Sequence, residues 1–117
     1  MIPHGVEIFL GLDPIDLRWS FDRLTGVVTE RIGRGARSGA LFVFFGKTRS
    51  AIKVFFFDGT GLCIFYKRLD RGTFRLPEVE GHPSSVAIEE RALDDLLDGI
   101  DVVTKGQKNP PPGSQTH

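Results

Sequence analysis

Ten cationic side chains fall between residues 31 and 75: Arg31, Arg34, Arg37, Lys47, Arg49, Lys53, Lys67, Arg68, Arg71 and Arg75. Only Asp58 and Asp70 oppose them there, which leaves +8 in a chain whose formal net charge is zero. Aromatic rings run through the same region, from Phe42, Phe44 and Phe45 to Phe65 and Tyr66. Lysine and arginine meet phosphate oxygens, and rings stack on bases, so this mixture fits a nucleic-acid surface. Aromatic residues with arginine also anchor protein interfaces. Residues 1–30 carry −3 and residues 76–117 carry −5. A basic middle between acidic flanks suggests a polyanion or an acidic partner, unless the flanks fold back and neutralise it.

Groups for catalysis are scarce. His4, His82 and His117 lie far apart, and none has metal-ligand spacing to another His, Cys or Glu. Cys63 sits between Leu62 and Ile64 in an apolar run and reads as an inert thiol. Glu89, Glu90, Asp94, Asp95 and Asp98 recur at the spacing of a solvated helix face. Asp58 and Asp70 each begin a turn, where Asp is favoured for local hydrogen bonding. The reading is non-catalytic, with no cofactor and no metal.

At 117 residues, 40% hydrophobic and 26% charged, the chain has the size and composition of one globular domain. The single cysteine excludes an internal disulfide framework and suggests a reducing compartment. No apolar stretch reaches the ~20 residues of a membrane span, and no secretory signal is evident, so the expected location is cytoplasmic. Residues 1–103 read as the domain. Residues 104–117, polar and rich in proline, read as a disordered tail.

The elements that must position the cations follow from patterning. Val6–Leu10 is a short β-prone run. Asp13, Pro14 and Asp16 resemble a helix start, and Leu17, Phe21, Leu24, Val28 and Ile32 recur at helical spacing. These predict a long helix from about Pro14 to Ile32, with Trp19 off its stripe as core cover or else an exposed anchor, and Gly33 and Gly35 at its end. A mobile Gly/Arg-rich connection then spans Arg31 to Ser38, or alternatively a flexible phosphate contact, though it lacks the Gly-Lys-Ser/Thr ending of a phosphate-binding loop.

Ala40–Phe45, Ile52–Phe57 and Leu62–Arg68 predict three antiparallel strands. Asp58-Gly59-Thr60-Gly61 is a hairpin turn, and Thr73–Leu76 is a further short strand. Alternation puts Ile52, Val54 and Phe56 on one face of the second strand, opposite Lys53, Phe55 and Phe57. On the third, Leu62, Ile64 and Tyr66 oppose Cys63, Phe65 and Lys67. The aliphatic face is expected to pack on the first helix. An aromatic face bearing Lys53 and Lys67 must then be covered or must bind something. Ser84 or Ser85 leads into an acidic helix over Glu89–Leu97. The expected fold is α+β: an antiparallel meander of four to five strands, with a long N-terminal helix and a shorter acidic C-terminal helix packed on it.

Several segments together resemble a known family. They are Ile2-Pro3 with Val6, Asp16-Leu17-Arg18 with Phe21-Asp22-Arg23-Leu24, and Leu41-Phe42-Val43-Phe44. The longest runs from Ile52-Lys53 through Asp58-Gly59-Thr60-Gly61-Leu62-Cys63 to Tyr66-Lys67-Arg68-Leu69, followed by Gly72-Thr73-Phe74. Leu96-Leu97-Asp98-Gly99-Ile100-Asp101 is the last. Over residues 2–103 the chain resembles the small accessory proteins, often called TnpB, that IS66-type insertion sequences encode beside their transposase. That resemblance implies a non-catalytic helper in transposition, with DNA, the transposase or other element-encoded proteins as partners. It supplies no active-site residues. The alternative is a protein–protein adaptor or homo-oligomer subunit without nucleic-acid contact. For DNA, the expected contacts are Arg34, Arg37, Lys47, Arg49, Lys53, Lys67, Arg68 and Arg71.

Overall fold

The Asp58 carboxylate organises the central hairpin. It accepts the backbone N–H of Thr60 at 2.8 Å and of Gly61 at 2.9 Å, and the Thr60 hydroxyl at 2.9 Å. Gly59 supplies a left-handed residue at φ 101°. This turn joins Ala51–Phe57 to Leu62–Arg68. A second turn, Gly46–Ser50, joins Leu41–Phe45 to Ala51–Phe57. The computed structural model describes residues 5–98. In chain order its strands are β1 (Ile8–Gly11), β2 (Leu41–Phe45), β3 (Ala51–Phe57), β4 (Leu62–Arg68) and β5 (Ser85–Ile88). Its helices are α1 (Phe21–Val27), which runs on as a π-helical turn over Val28–Ile32, and α2 (Glu90–Leu97).

The sheet is mixed, in the order β4-β3-β2-β1-β5, and this corrects the expected pure meander. Short turns make β2, β3 and β4 antiparallel, as anticipated. β1 pairs with β2 in parallel, Ile8 with Leu41 and Leu10 with Val43. The 12–40 connection is long enough for a crossover, which short-turn reasoning does not reach. β5 closes the other edge antiparallel to β1. Thr73–Leu76, expected as a strand, is irregular. Phe74 instead donates its N–H to Arg49 O at 2.7 Å and sets its buried ring edge-on to Phe45.

The long N-terminal helix is a second correction. Of the expected span only residues 21–32 are helical, and 14–20 form a strap over the sheet end. Ile15 is buried and donates its N–H to Phe45 O at 2.8 Å. Asp16, expected in the first helical turn, accepts the Arg18 N–H at 2.9 Å and the Arg18 guanidinium and serves a turn instead. Leu17 lies over Gly46, where an added Cβ would stand 2.5 Å from it. Tertiary burial and a strand-end hydrogen bond outweigh the local helix signal. The helix ends where Gly33 turns left-handed at φ 72° and donates to Val28 O.

Two cores flank the sheet. Leu24, Val27 and Val28 of the first helix cover Phe9, Phe42, Phe44 and Phe55. Ala92, Leu93 and Leu96 of α2, with Phe74, cover Ile8, Leu10, Val43, Ile52 and Val54. The aliphatic face of β3 therefore packs on the C-terminal helix and the Phe55 face on the N-terminal one, the reverse of the expectation. α2 keeps its expected acidic character, while Ser85, expected to lead into it, begins β5. Residues 99–117, including the expected tail, lie outside the described residues. Among the described residues, no helix is long and apolar enough to cross a membrane.

Candidate nucleic-acid interface

The four-residue turn fixes the β3–β4 register and with it the site. Phe57 pairs with Leu62, Val54 with Phe65, Lys53 with Tyr66 and Ile52 with Lys67. Directly paired residues share a face, so Lys53 lies with Phe55, Ile64 and Tyr66, and Lys67 with Val54, Phe56 and Phe65. The aromatic face bearing both lysines does not exist; the register puts one on each side.

Lys53 is buried at 7% exposure. Its Nζ donates to Trp19 O at 2.8 Å and stands 5.1 Å from the Tyr66 ring centroid. Burying an ammonium is tolerable only with such partners. On Trp19 the Arg23 guanidinium stacks at 4.5 Å and that of Arg31 at 5.8 Å, while Arg31 also donates to Pro14 O at 3.3 Å. Across Tyr66, Arg68 donates to the phenol oxygen at 3.2 Å. Lys47 faces Pro14–Leu17 over an open cleft of about 480 Å³. The α1 face thus carries Arg23 and Arg31 at Trp19 and Arg68 at Tyr66, with Lys47 across the cleft from the strap. Among the described residues, none of these four cations has a carboxylate partner.

The structure does not bring the eight expected cations to one place. Lys53 is internal, and Lys67 donates to Leu97 O at 2.7 Å on the opposite face, closing the C-terminus of α2. Arg34 and Arg37 precede β2 at one end of the sheet, Arg34 stacked on Phe9 at 4.9 Å. Lys47, Arg49, Arg68 and Arg71 gather at the other, because Leu69 donates to Ser50 O and Phe74 to Arg49 O on either side of Arg71. Strands of this length separate the ends by roughly 15–20 Å. Arg49 owes part of its position to backbone, a left-handed residue at φ 58° in the β2–β3 turn. The eight expected contacts leave out Arg23, Arg31 and Trp19, which the structure brings together. Their signal was the four-residue spacing from Trp19 to Arg23, which the helix stripe concealed.

Elsewhere the polar chemistry is local. Hydrogen bonds from the Thr60 and Gly61 N–H groups hold the Asp58 carboxyl down to about 2. Burial, and then the Asp58 charge, push the Cys63 thiol above its ordinary value, away from thiolate reactivity. Among the described residues, no group of three His, Cys, Asp or Glu is placed to hold a metal ion.

Fold and surface define a small module in which a mixed sheet, sandwiched between two short helices, presents a basic, ring-backed rim. The chain belongs to the family of IS66 Orf2-like proteins, whose pattern matches residues 6–107. This is an accessory family of insertion sequences and not a known catalytic one. The chain is 41% identical over 103 residues to the uncharacterized protein y4hO of Sinorhizobium fredii (strain NBRC 101917 / NGR234), covering 86% of this chain and 88% of that one. It is 28% identical over 98 residues to the uncharacterized protein y4jC of the same strain, covering 84% and 82%. No solved structure is a significant match.

Proposed function

We propose that this accessory protein acts in transposition without catalysing a step, by holding DNA through the rim of the α1 face and presenting it to the transposase. The observation that carries the reading is the stacking of Arg23 and Arg31 on Trp19, beside Tyr66 and Arg68. Rings beneath the guanidinia restrict them and leave their outer N–H groups for phosphate oxygens. Lys53 tethers the two ring clusters from below. Contact of this kind positions a duplex and carries little sequence information, in keeping with a helper role.

Fluorescence anisotropy with duplex DNA over a salt series tests this. Affinity is expected to fall with log salt at a slope of about −0.9 per phosphate contact. Arg23→Ala, Arg31→Ala and Arg68→Ala should each reduce that slope by about one. Arg37→Ala, at the other end of the sheet, should change it little. Binding that ignores salt, or that depends on Arg37 as much as on Arg23, overturns the reading.

A further inference from the structure

Among the described residues β4 is an edge strand, and none of them covers it. Its register with β3 is continuous from Leu62 to Arg68, without bulge or proline. Among the described residues the exposed large apolar side chains are Phe21, Phe65 and Tyr66, and two of these three lie on β4. Its lysine is no deterrent, since Lys67 is tied to Leu97 O. The other edge, β5, is only four residues long and follows directly on Pro83 and Ser84.

Which groups of β4 face outward follows from the bonds at its two ends. Asp58 donates to Gly61 O at 3.1 Å, and Leu69 donates to Ser50 O at 2.9 Å. Hydrogen-bonded pairs alternate in an antiparallel ladder. Residues 61, 63, 65, 67 and 69 therefore turn their backbone groups toward β3. Leu62, Ile64, Tyr66 and Arg68 turn theirs outward, each with an N–H and a C=O.

We propose that β4 pairs antiparallel with β4 of a second copy of this chain about a two-fold axis through Phe65. This register pairs Leu62 with Arg68, Cys63 with Lys67, Ile64 with Tyr66 and Phe65 with itself. Every outward backbone group then meets an outward partner, in about eight hydrogen bonds. No like charges oppose each other, because the basic end of one strand lies along the apolar end of the other. A parallel addition would set the Lys67-Arg68 ends side by side, which disfavours it. The Phe65 pair falls in a non-hydrogen-bonded position, where side chains approach most closely and aromatic pairs stabilise a sheet. The contact is isologous and closes at two copies, giving one sheet of ten strands. Both α1 faces then lie on the same side, with the two basic rims flanking the axis. The pairing does not depend on DNA binding.

Sedimentation of the full chain at tens of micromolar tests the pairing, with an expected mass of twice 13.0 kDa. Because residue 65 opposes itself, Phe65→Glu and Phe65→Lys should each sediment as monomers. An equimolar mixture of the two should recover the dimer, a result that simple loss of folding cannot produce. Oxidation of Phe65→Cys in a Cys63→Ser background should give a covalent dimer, and circular dichroism reports whether each variant remains folded. A monomeric wild type, dimers indifferent to charge at residue 65, or no recovery on mixing overturns the proposal.

Discussion

Lys53 and Lys67 occupy neighbouring strands on opposite faces of one sheet, and each gives its ammonium to a backbone carbonyl. What surrounds them differs. Lys53 is buried beneath the strap ahead of α1, where Trp19 and Tyr66 converge on it and Arg23, Arg31 and Arg68 collect around them. Lys67 is half-buried at the end of α2, beside an apolar groove of about 350 Å³ lined by Val54, Phe56, Phe65, Leu93 and Leu97. The same residue type builds a charged rim on one face and caps a helix on the other. A lysine's role here is set by the segment that covers it, not by the strand that carries it.

The comparison can be broken first at the cores. Leu24 and Leu96 are both fully buried, on opposite faces. Leu24→Ala and Leu96→Ala should each cost about 2–5 kcal/mol in denaturant unfolding. Their effects should add to within about 0.5 kcal/mol in the double variant, since the two sites share no partners. Strong coupling between them would show that the faces are not separate.

A smaller effect separates the lysines. Lys53→Met keeps the apolar stem but leaves Trp19 O without its donor, and should cost about 1–3 kcal/mol. Lys67→Met should cost about 0.3–1 kcal/mol, the scale of a cation at a helix C-terminus. The opposite order would remove the distinction drawn between the two faces.

The smallest effect is in acid. The Asp58 carboxyl is held near 2 by the turn N–H groups, and that of Asp16 near 2 by Arg18, both below the ordinary 3.8. A depressed carboxylate stabilises the fold above its unfolded value, and that contribution disappears as pH falls from about 4 through 2. Melting temperature followed from pH 5 to pH 2 should therefore drop less steeply in Asp58→Ser and Asp16→Ser than in the wild type. An unchanged slope would mean that neither carboxylate is held by the fold.

Much of the site's scaffold was legible in the residues. Asp58-Gly59 specifies its turn by side-chain bonds to the next residues and by a left-handed glycine, and neither needs the rest of the molecule. Alternation and short connections located β2, β3 and β4. The helical spacing of its acidic residues located α2. The +8 of residues 31–75 told truly that the charge is segregated, but not where each cation points.

Local chemistry thus determined the hairpin, the acidic helix and the family to which the chain belongs. Only the tertiary structure decided that β1 joins the sheet in parallel, that residues 14–20 lie as a strap, and that Lys53 and Lys67 part company. Each of those outcomes rests on partners distant in sequence: Leu41 for Ile8, Phe45 O for Ile15, Trp19 O for Lys53. Counting along one strand gives the two faces. Which face meets which helix is fixed by the register of the turn and by the crossover that brings α1 over the sheet.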